Sequence, residues 1–491
     1  MMGQLLQDDC WLIWPVVLPL FGALVSFLLK QHPRLPGLIV SLLTTLLSGI
    51  LGWKLVSHGV CRYDLGGWQP PLGISLRSDG PAVLMVLMTA ITGLAISIYA
   101  GGYFQSRIAK RGDDRRHVDQ ERSFWPLWLV LWGALNGHFL SADIFNMYIT
   151  LELVALSSVG LTALSGKPAS QIAAMRYLLV SILGSLSFLL GVGFLYKAFG
   201  SLDLATIQAG LSFSPPVAMA MVLISVGLIL KTALFPFHFW LPPAHANALS
   251  PVSAILSGLV VTGAWYLFFR FWPGFLPLVG DEGKAVLAAL GGVAIIWGAF
   301  LAFSQQRLKM LVAYSTVAQV GYLFLIFPMI EAGGGQAVLA VFYFAISHSC
   351  AKAAMFLAAG TIFLQMGHDR IRDLAGVRQI LPITTFAFAL GGLSLMGLPP
   401  SGGFIAKYMY LSQAFSQDRW WLVLLIVVGS CLTAAYIYRA VSHVLSPKIA
   451  RGRCQVVVAA SMEWSALALA LVAILLGFIA PLPLALLGVT G

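Results

Sequence analysis

Charged residues are scarce in this chain, and their scarcity decides its class. Only 10% of the 491 residues are Asp, Glu, Lys or Arg, whereas 59% are hydrophobic. Soluble domains carry about 25% charged residues. The hydrophobic residues stand in runs of about 20, the length that crosses the hydrocarbon core of a bilayer. These features exclude a sizeable soluble domain and predict an integral membrane protein.

The chain also lacks the sequence patterns of redox, metal and nucleotide sites. Its five cysteines form no Cys-x-x-Cys pair and no Cys/His spacing typical of zinc, iron–sulfur or haem sites. It has no Gly-x-x-x-x-Gly-Lys-Ser/Thr loop for ATP phosphates. The formal charge of +11 is dispersed over short loops, which argues against nucleic-acid binding. We therefore predict no cofactor, no metal and no nucleic-acid partner.

The apolar runs predict an all-α polytopic membrane fold with about 14 transmembrane helices. These spans start near Trp11, Pro36, Gly80, Phe124, Asp143, Ala173, Pro216, Pro251, Ala285, Met310, Gln336, Pro382, Trp420 and Val458. Alternate loops divide the 29 basic residues unequally, with nineteen on one side, seven on the other and three within or at the ends of apolar runs. Because Lys and Arg concentrate in cytoplasmic loops, we expect both termini on the outer side of the cell (inner) membrane. The basic loop 105–122 should then be cytoplasmic.

Four charged residues lie within or beside apolar runs, and they are the first candidate functional residues. Glu152 lies in the fifth predicted span, Lys231 in the seventh, Lys352 in the eleventh and Lys407 in the twelfth. Burying a charge at the bilayer centre costs about 3 kcal/mol on insertion scales, so such residues usually face a bundle interior and line ion pathways. The alternative is a structural salt bridge, or a lysine that extends its ammonium group to the membrane surface, most of all for Lys352 and Lys407.

Two of these lysines lie beside sequences that interrupt a helix. In LKTALFPFHFWLPPAHA, Pro236 follows Lys231 by five residues and cannot donate a backbone hydrogen bond, so we predict that the helix kinks or unwinds near the lysine. In GLPPSGGFIAKYMY, Pro399 and Pro400 precede Lys407. Interrupted helices five spans apart indicate two inverted five-helix repeats, because an odd number of spans reverses orientation.

Three histidines add groups that titrate near neutral pH. His238 and His245 follow Lys231 along the chain, and His348 precedes Lys352 by four residues, which places both on one helix face. The alternative for each histidine is a hydrogen-bonded packing residue. A zinc site is not expected, because His348 and Lys352 form His-x-x-x-Lys rather than His-x-x-x-His and have no neighbouring carboxylate.

Three motifs carry a family resemblance. They are KTALFPFHFWLPPAHANALSPVSAILSG, RLKMLVAYSTVAQVGYL and GLPPSGGFIAK. Together they resemble the antiporter-like membrane subunits of respiratory complex I and of Mrp-type cation/proton antiporters, and the likeness is closest to the Mrp D branch. The resemblance extends from about Phe124 to about Tyr436 and continues more weakly into the flanking spans.

The resemblance implies two half-channels joined by a charged axis along the middle of the membrane. Glu152, Lys231 and Lys407 match this axis, while His348 and Lys352 match polar positions of an interrupted eleventh span. The organisation that it implies comprises three N-terminal helices with the basic loop in 1–122, the first repeat in 123–283, the second repeat in 284–445 and a last helix in 446–491.

One position departs from the family pattern. The eighth span usually carries a lysine that links the half-channels, but LSGLVVTGAWYLFFR places Thr262 there. A hydroxyl relays a proton through hydrogen bonds but holds no fixed positive charge at neutral pH. Conduction between the halves must therefore use water or another group, or a transport step is lost.

The resemblance implies a proton-translocating subunit that assembles with other integral membrane subunits, most simply in an Mrp-type sodium/proton antiporter. The expected partners are those subunits, the lipid bilayer, protons and sodium. The first alternative is a membrane-arm subunit of a complex I-like dehydrogenase or membrane-bound hydrogenase, and in neither host does this chain carry a redox centre of its own. A second alternative is a non-conducting structural subunit, which only Thr262 favours.

Overall fold

A computed structural model describes residues 9–111, 115–330, 335–447 and 457–489. Within these ranges the chain is almost entirely helical, as its hydrophobic runs predict. The helices are α1 (Trp14–Leu28), α2 (Arg34–His58), α3 (Gly80–Arg111), α4 (Arg115–Leu140), α5 (Ile144–Ala163), α6 (Pro168–Phe199), α7 (Leu204–Gly210), α8 (Pro215–Thr232), α9 (Leu241–Asn247), α10 (Ser250–Ile255), α11 (Val261–Ser304), α12 (Leu308–Phe324), α13 (Gly335–Met366), α14 (Val377–Ile380), α15 (Pro382–Met396), α16 (Gly402–Ser416), α17 (Trp420–Val444), α18 (Ala460–Leu475) and α19 (Pro481–Leu487).

Many of these helices, alone or joined to a neighbour, have the length and composition of membrane spans. In the described ranges, eleven helical segments are long and apolar enough to cross a bilayer, and two shorter apolar helices accompany them. Peripheral helices expose large apolar side chains such as Leu28 and Leu183, as expected for surfaces in contact with lipid. The all-α polytopic fold is confirmed, whereas the number of crossings and the inverted repeats remain predictions.

The innermost part of the bundle consists of α10, the first part of α11, α12 and α13. The segments Ser250–Trp272, Leu308–Met329 and Gly335–Met366 are almost completely buried. Aromatic side chains such as Trp265 and Tyr343 fill the space around them. A polar group on these helices therefore meets protein rather than lipid, and its hydrogen bonds must be made inside the bundle.

The structure breaks the helices at both predicted lysine motifs. Helix α8 ends at Thr232, and Ala233 adopts a left-handed conformation with φ of 53°, so the break begins before Pro236 rather than at it. Helix α15 ends at Met396, followed by Gly397 with φ of 80°. The chain resumes as α9 and α16, respectively.

The predicted interruption of the eleventh span is wrong. Helix α13 runs unbroken from Gly335 to Met366 through His348 and Lys352. The segment SHSCAKAAM contains neither proline nor glycine, so nothing in it disfavours the helix. The irregular backbone lies instead in the eighth span, where a π-helical turn at Leu256–Val260 joins α10 to α11.

A small antiparallel hairpin departs from the helical structure, and the sequence did not predict it. Strands β1 (Cys61–Asp64) and β2 (Ser75–Ser78) pair with Arg62 opposite Arg77. The hairpin connects α2 to α3, and the backbone N–H of Ala142 donates to the Ser75 carbonyl at 2.9 Å. It therefore covers the adjacent end of the helix bundle.

Loops assigned to the same membrane side from the distribution of basic residues also meet in space. Arg107, Lys167 and Arg307, all in predicted inner loops, line one cavity of about 130 Å³. At predicted outer loops, Arg62 pairs with Asp203 at 2.8 Å and Arg270 with Asp79 at 2.5 Å. Residues 112–114 of the basic loop, and both termini at 1–8 and 490–491, lie outside the described residues. The absolute orientation stays a prediction.

This orientation predicts opposite labelling of two exposed carboxylate positions. In a cysteine-free background, Asp119→Cys should resist an impermeant thiol reagent applied to intact cells, because Asp119 belongs to the basic loop. Glu282→Cys, in a predicted outer loop, serves as the matched control and should label readily. Both native side chains are at least partly exposed. The reverse pattern would invert the predicted topology.

Candidate functional site

Lys231 and Glu152 form a membrane-buried ion pair. The Lys231 Nζ lies 2.9 Å from the Glu152 Oε1, and it donates a second hydrogen bond to the Ser181 Oγ at 3.1 Å. The Ser185 hydroxyl donates to the same glutamate oxygen. The Lys231 side chain is 5% exposed and the Glu152 side chain is 24% exposed. The carboxylate is therefore accessible from outside the pair, whereas the ammonium is enclosed.

The local sequence explains how α5, α6 and α8 bring this pair together. Asp143 caps α5, since its Oδ1 accepts from the Asn146 N–H at 2.8 Å. Helices α6 and α8 meet at Gly184 and Gly227, where a Cβ on Gly227 would lie 2.5 Å from the Gly184 carbonyl oxygen. Only glycine permits this approach, which brings the stem of Lys231 against α6.

The break after Lys231 is stabilised by a tryptophan that sequence reasoning missed. The Trp240 Nε1 donates to the Leu230 carbonyl at 3.1 Å, in the last turn of α8, where the carbonyls lose their regular i+4 helical partners. The Trp240 ring also stacks on Tyr177 of α6, with centroids 4.3 Å apart. The break beside Lys231 is therefore a fixed feature of the fold.

The structure separates the two histidines that follow Lys231. His238 is half-buried, stacks on Phe235 at 5.6 Å and stands between the exposed rings of Phe237 and Phe239. His245 is completely buried on α9, edge-on to Phe356, and among the described residues neither of its ring nitrogens has a hydrogen-bond partner. His245 lies inside the bundle, whereas His238 lies at its periphery.

Lys352 occupies the centre of the bundle without a carboxylate. Its Nζ donates to the Val312 carbonyl at 2.9 Å and to the Ser315 hydroxyl on α12. His348, one turn earlier on α13, stacks on Phe344 at 5.9 Å. In the part of the chain that the structure describes, no acidic side chain forms a salt bridge with Lys352.

Lys407 is held by the end of the preceding helix. Its Nζ donates to the carbonyls of Leu395 and Met396 at 3.0 and 3.1 Å, and it lies 4.9 Å from the centroid of the Tyr322 ring. These carbonyls belong to the last turn of α15, where a cation is favoured. A Cβ at Gly397 would lie 2.7 Å from the Lys407 Cδ, so glycine is required by both space and its positive φ.

The three lysines therefore differ in kind. Lys231 has a carboxylate partner, whereas Lys352 and Lys407 donate to carbonyl and hydroxyl oxygens. Those oxygens accept hydrogen bonds from an amine as well as from an ammonium group. Lys352 and Lys407 can lose a proton and keep hydrogen bonds, but Lys231 cannot lose its proton without changing its interaction with Glu152.

A further lysine is buried although the predicted start of its span, near Met310, places it in a loop. Lys309, the second residue of α12, is almost fully buried, and its Nζ donates to the Ala248 carbonyl at 2.8 Å between α9 and α10. It also lines the cavity with Arg107, Lys167 and Arg307. Its position only one residue inside an apolar helix was the signal that could have revealed it.

Thr262 lies on α11 directly after the π-helical turn. Its Oγ1 is buried and lies 3.4 Å from the Gly258 carbonyl oxygen of that turn. The same oxygen accepts a hydrogen bond from the Ser349 hydroxyl of α13. Thr262 thus lies beside α13 but contributes only one long hydroxyl contact.

Similarity to known proteins decides the family. Residues 141–433 match the family model described as NADH:quinone oxidoreductase/Mrp antiporter, TM. The chain belongs to this family. It is 34% identical over 438 residues to the N subunit of the NADH-quinone oxidoreductase of Desulforudis audaxviator, covering 87% of this chain and 85% of the relative. All seven candidate residues from the sequence lie inside the family match.

Further members and solved structures extend the match along the chain. Identity to the D subunit of the Na(+)/H(+) antiporter of Bacillus subtilis is 28% over 443 residues, covering 88% of this chain and 86% of that one. The Mrp complex from Dietzia sp. DQ12-45-1b matches with a TM-score of 0.86 at 23% identity, over 98% of this chain and 96% of that chain. The archaeal membrane-bound sulfane sulfur reductase matches with a TM-score of 0.86 at 24% identity, over 98% of this chain and 97% of that chain. These structures share the fold of this family member.

Thr262→Val should reduce transport only modestly, because the hydroxyl makes one long contact to an oxygen that Ser349 also satisfies. We expect a loss below about fivefold, the equivalent of one neutral hydrogen bond of about 1 kcal/mol. The measurement is proton-gradient-driven cation exchange in membrane vesicles, normalised to assembled complex. Complete inactivation with normal assembly would make the hydroxyl an obligatory relay.

Proposed function

We propose that this chain translocates protons within a multisubunit membrane complex, and that the Lys231–Glu152 pair is its switching site. The observation that carries the proposal is a buried ion pair placed directly before a helix break, with the carboxylate partly accessible and the ammonium enclosed. A purely structural ion pair needs neither the break nor this difference in access. Buried pairs are weak stabilisers, which favours a functional reason for keeping this one.

A proton reaching Glu152 changes the state of the pair. Protonation neutralises the carboxylate, with the Ser185 hydroxyl still in hydrogen-bond contact. The Lys231 ammonium then has no negatively charged partner, and an unpaired charge in a low-dielectric interior costs free energy. The ammonium releases its proton toward the bundle interior, and Glu152 then passes its own proton to Lys231, which restores the pair. Each cycle moves one proton from the exposed side of Glu152 to the interior of the helix bundle.

Lys352, His348 and Lys407 receive and pass on the proton in the second half of the chain. Lys352 and Lys407 are hydrogen-bonded to neutral oxygens, so proton gain and loss require no partner to move. The ring of Phe344, which stacks on His348, lies 5.4 Å from that of Tyr322, the ring that faces Lys407. His245 serves as a further buried proton acceptor beside this route. His238 serves as a proton acceptor at the edge of the route.

The proposed division of the chain follows from the same scheme. Residues 123–283 form the first half-channel and 284–445 the second, with 1–122 and 446–491 as flanking helices. Gly280, with φ of 67°, kinks α11 close to the proposed boundary. This break supports a division there, since the non-helical Gly280 separates two helices.

We assign the host complex first to the Mrp-type antiporters, with sodium as the counter-ion and both termini on the outer side of the cell membrane. The likeness to the D subunit of an Na(+)/H(+) antiporter over 88% of the chain supports this host. The 34% identity to the N subunit of an NADH-quinone oxidoreductase favours the second candidate, a redox-driven complex in which this chain has the same role. Purification of the complex distinguishes them, since small antiporter subunits accompany the chain in the first and iron–sulfur subunits in the second.

Lys231→Ala should abolish transport in assembled complex, because alanine neither holds nor releases a proton. Lys231→Arg should also fail, since guanidinium stays protonated at any working pH. The matched control is Lys284→Arg, at a lysine paired with Asp281 outside the buried axis, which should leave transport unchanged. Cation exchange in vesicles, normalised to assembled complex, gives the rates. Near-normal exchange by Lys231→Arg would reduce the pair to a structural salt bridge.

A further inference from the structure

Four basic residues from three separate parts of the chain line one cavity at an end of the helix bundle. Arg107 lies in the last two turns of α3, Lys167 directly before α6, and Arg307 and Lys309 at the start of α12. The cavity has a volume of about 130 Å³, whereas a single water needs about 10 to 15 Å³ of such space. It therefore has room for a group of several heavy atoms.

The positive charge in this cavity is mostly uncompensated. Among the described residues, Arg307 alone of the four forms a salt bridge, with Asp369 at 3.0 Å. The second oxygen of Asp369 accepts from the backbone N–H of Lys309 at 3.4 Å. The other three cations are left without a carboxylate in that part of the chain, and like charges held close together repel each other unless an anion lies between them. The cavity therefore favours an anionic occupant.

The hydrogen-bond donors of these side chains are also incompletely used. The Arg107 Nη1 is buried and has no hydrogen-bond partner within the described ranges, although buried polar atoms nearly always have one. Lys309 is 4% exposed, and its Nζ donates to the Ala248 carbonyl at 2.8 Å, which leaves further N–H groups of the ammonium available. An anion with several oxygens would accept from the donors that remain.

The cavity extends from the surface of the protein into the bundle. The Arg307 side chain is 44% exposed, whereas Lys309 is enclosed. The half-buried apolar side chains of Phe363 and Leu364 on α13 form part of the lining. A basic pocket between transmembrane helices, with apolar side chains beside it, is typical of sites for lipid head groups.

We propose that this cavity, lined by Arg107, Lys167, Arg307 and Lys309, binds a phosphate group, carried by the head group of an anionic lipid or by a free phosphate ion. Arginine and lysine are the residues that bind phosphate oxygens in proteins. A tetrahedral phosphate also suits donors that come from three directions better than a planar carboxylate does. None of the seven candidate proton-transfer residues lines this cavity, so phosphate binding here is independent of the proposed proton transfer.

The experiment measures equilibrium binding of two radiolabelled probes to the whole complex, purified and stripped of lipid by detergent. The probes are phosphatidylglycerol in detergent micelles and inorganic phosphate in buffer. We expect saturable binding of at least one probe. Arg107→Gln combined with Lys167→Gln should weaken this binding at least about tenfold, because hydrogen bonds from charged donors are lost. The matched control, Arg176→Gln combined with Arg378→Gln, removes two exposed arginines outside the cavity and should bind as wild type does.

The probe that loses affinity in the cavity variant identifies the source of the phosphate group. A loss for phosphatidylglycerol alone assigns the site to a lipid head group, whereas a loss for inorganic phosphate assigns it to the free ion. No saturable binding of either probe, or wild-type affinity in Arg107→Gln/Lys167→Gln, would overturn the site. An equal loss in the control pair would show attraction by net charge alone and would overturn it as well.

An exposed position keeps the site testable if Arg107→Gln/Lys167→Gln prevents assembly. Ala169, in the first turn of α6, is exposed and lines the cavity. Ala169→Glu places a carboxylate beside the cations and should weaken binding severalfold. Ala169→Gln adds a side chain of the same size without the charge and should retain most of the affinity. Equal affinity in these two variants would contradict the phosphate site.

Discussion

The cost of holding a charge inside a membrane is the constraint on which the rest of this structure depends. An ammonium group in hydrocarbon costs about 3 kcal/mol or more unless protein groups replace its water. The chain meets this cost in two ways, by a carboxylate for Lys231 and by neutral oxygens for Lys352 and Lys407. In the proposed mechanism, this difference distinguishes one site where a lysine and a glutamate change charge together from two sites where a single lysine carries the proton.

The irregular backbone is a consequence of the same constraint. A continuous helix uses its carbonyls internally and has few to offer, whereas a helix end leaves them free. Lys407 is held by the end of α15, the break after Lys231 is stabilised by Trp240, and the π-helical turn presents the Gly258 carbonyl to α13. Breaks thus occur where polar groups must be solvated by protein, in an environment that contains no bulk water.

The sequence alone predicted the parts of the site that depend on local chemistry. Charges and prolines inside apolar runs were sufficient to identify Lys231, Glu152 and the break between α8 and α9. Each of these residues is unusual in a membrane helix and can be recognised from its neighbours in the sequence. Contacts between distant helices were not predictable: His138 belongs to no local pattern, and its contacts with α5 and α11 appear only in the structure. The interruption expected in α13 came from the resemblance rather than from its residues, and the residues favour an intact helix.

Infrared difference spectroscopy of the reconstituted complex, recorded as the bulk pH is stepped, tests most directly whether Glu152 gains and loses a proton. Comparison of wild type with Glu152→Gln isolates the signal of this one carboxylate. The switching mechanism predicts a carboxyl band that grows as carboxylate bands decline, and that is missing from Glu152→Gln at equal amounts of complex. Identical difference spectra for the two proteins would show that Glu152 keeps one charge state throughout, and would contradict the mechanism.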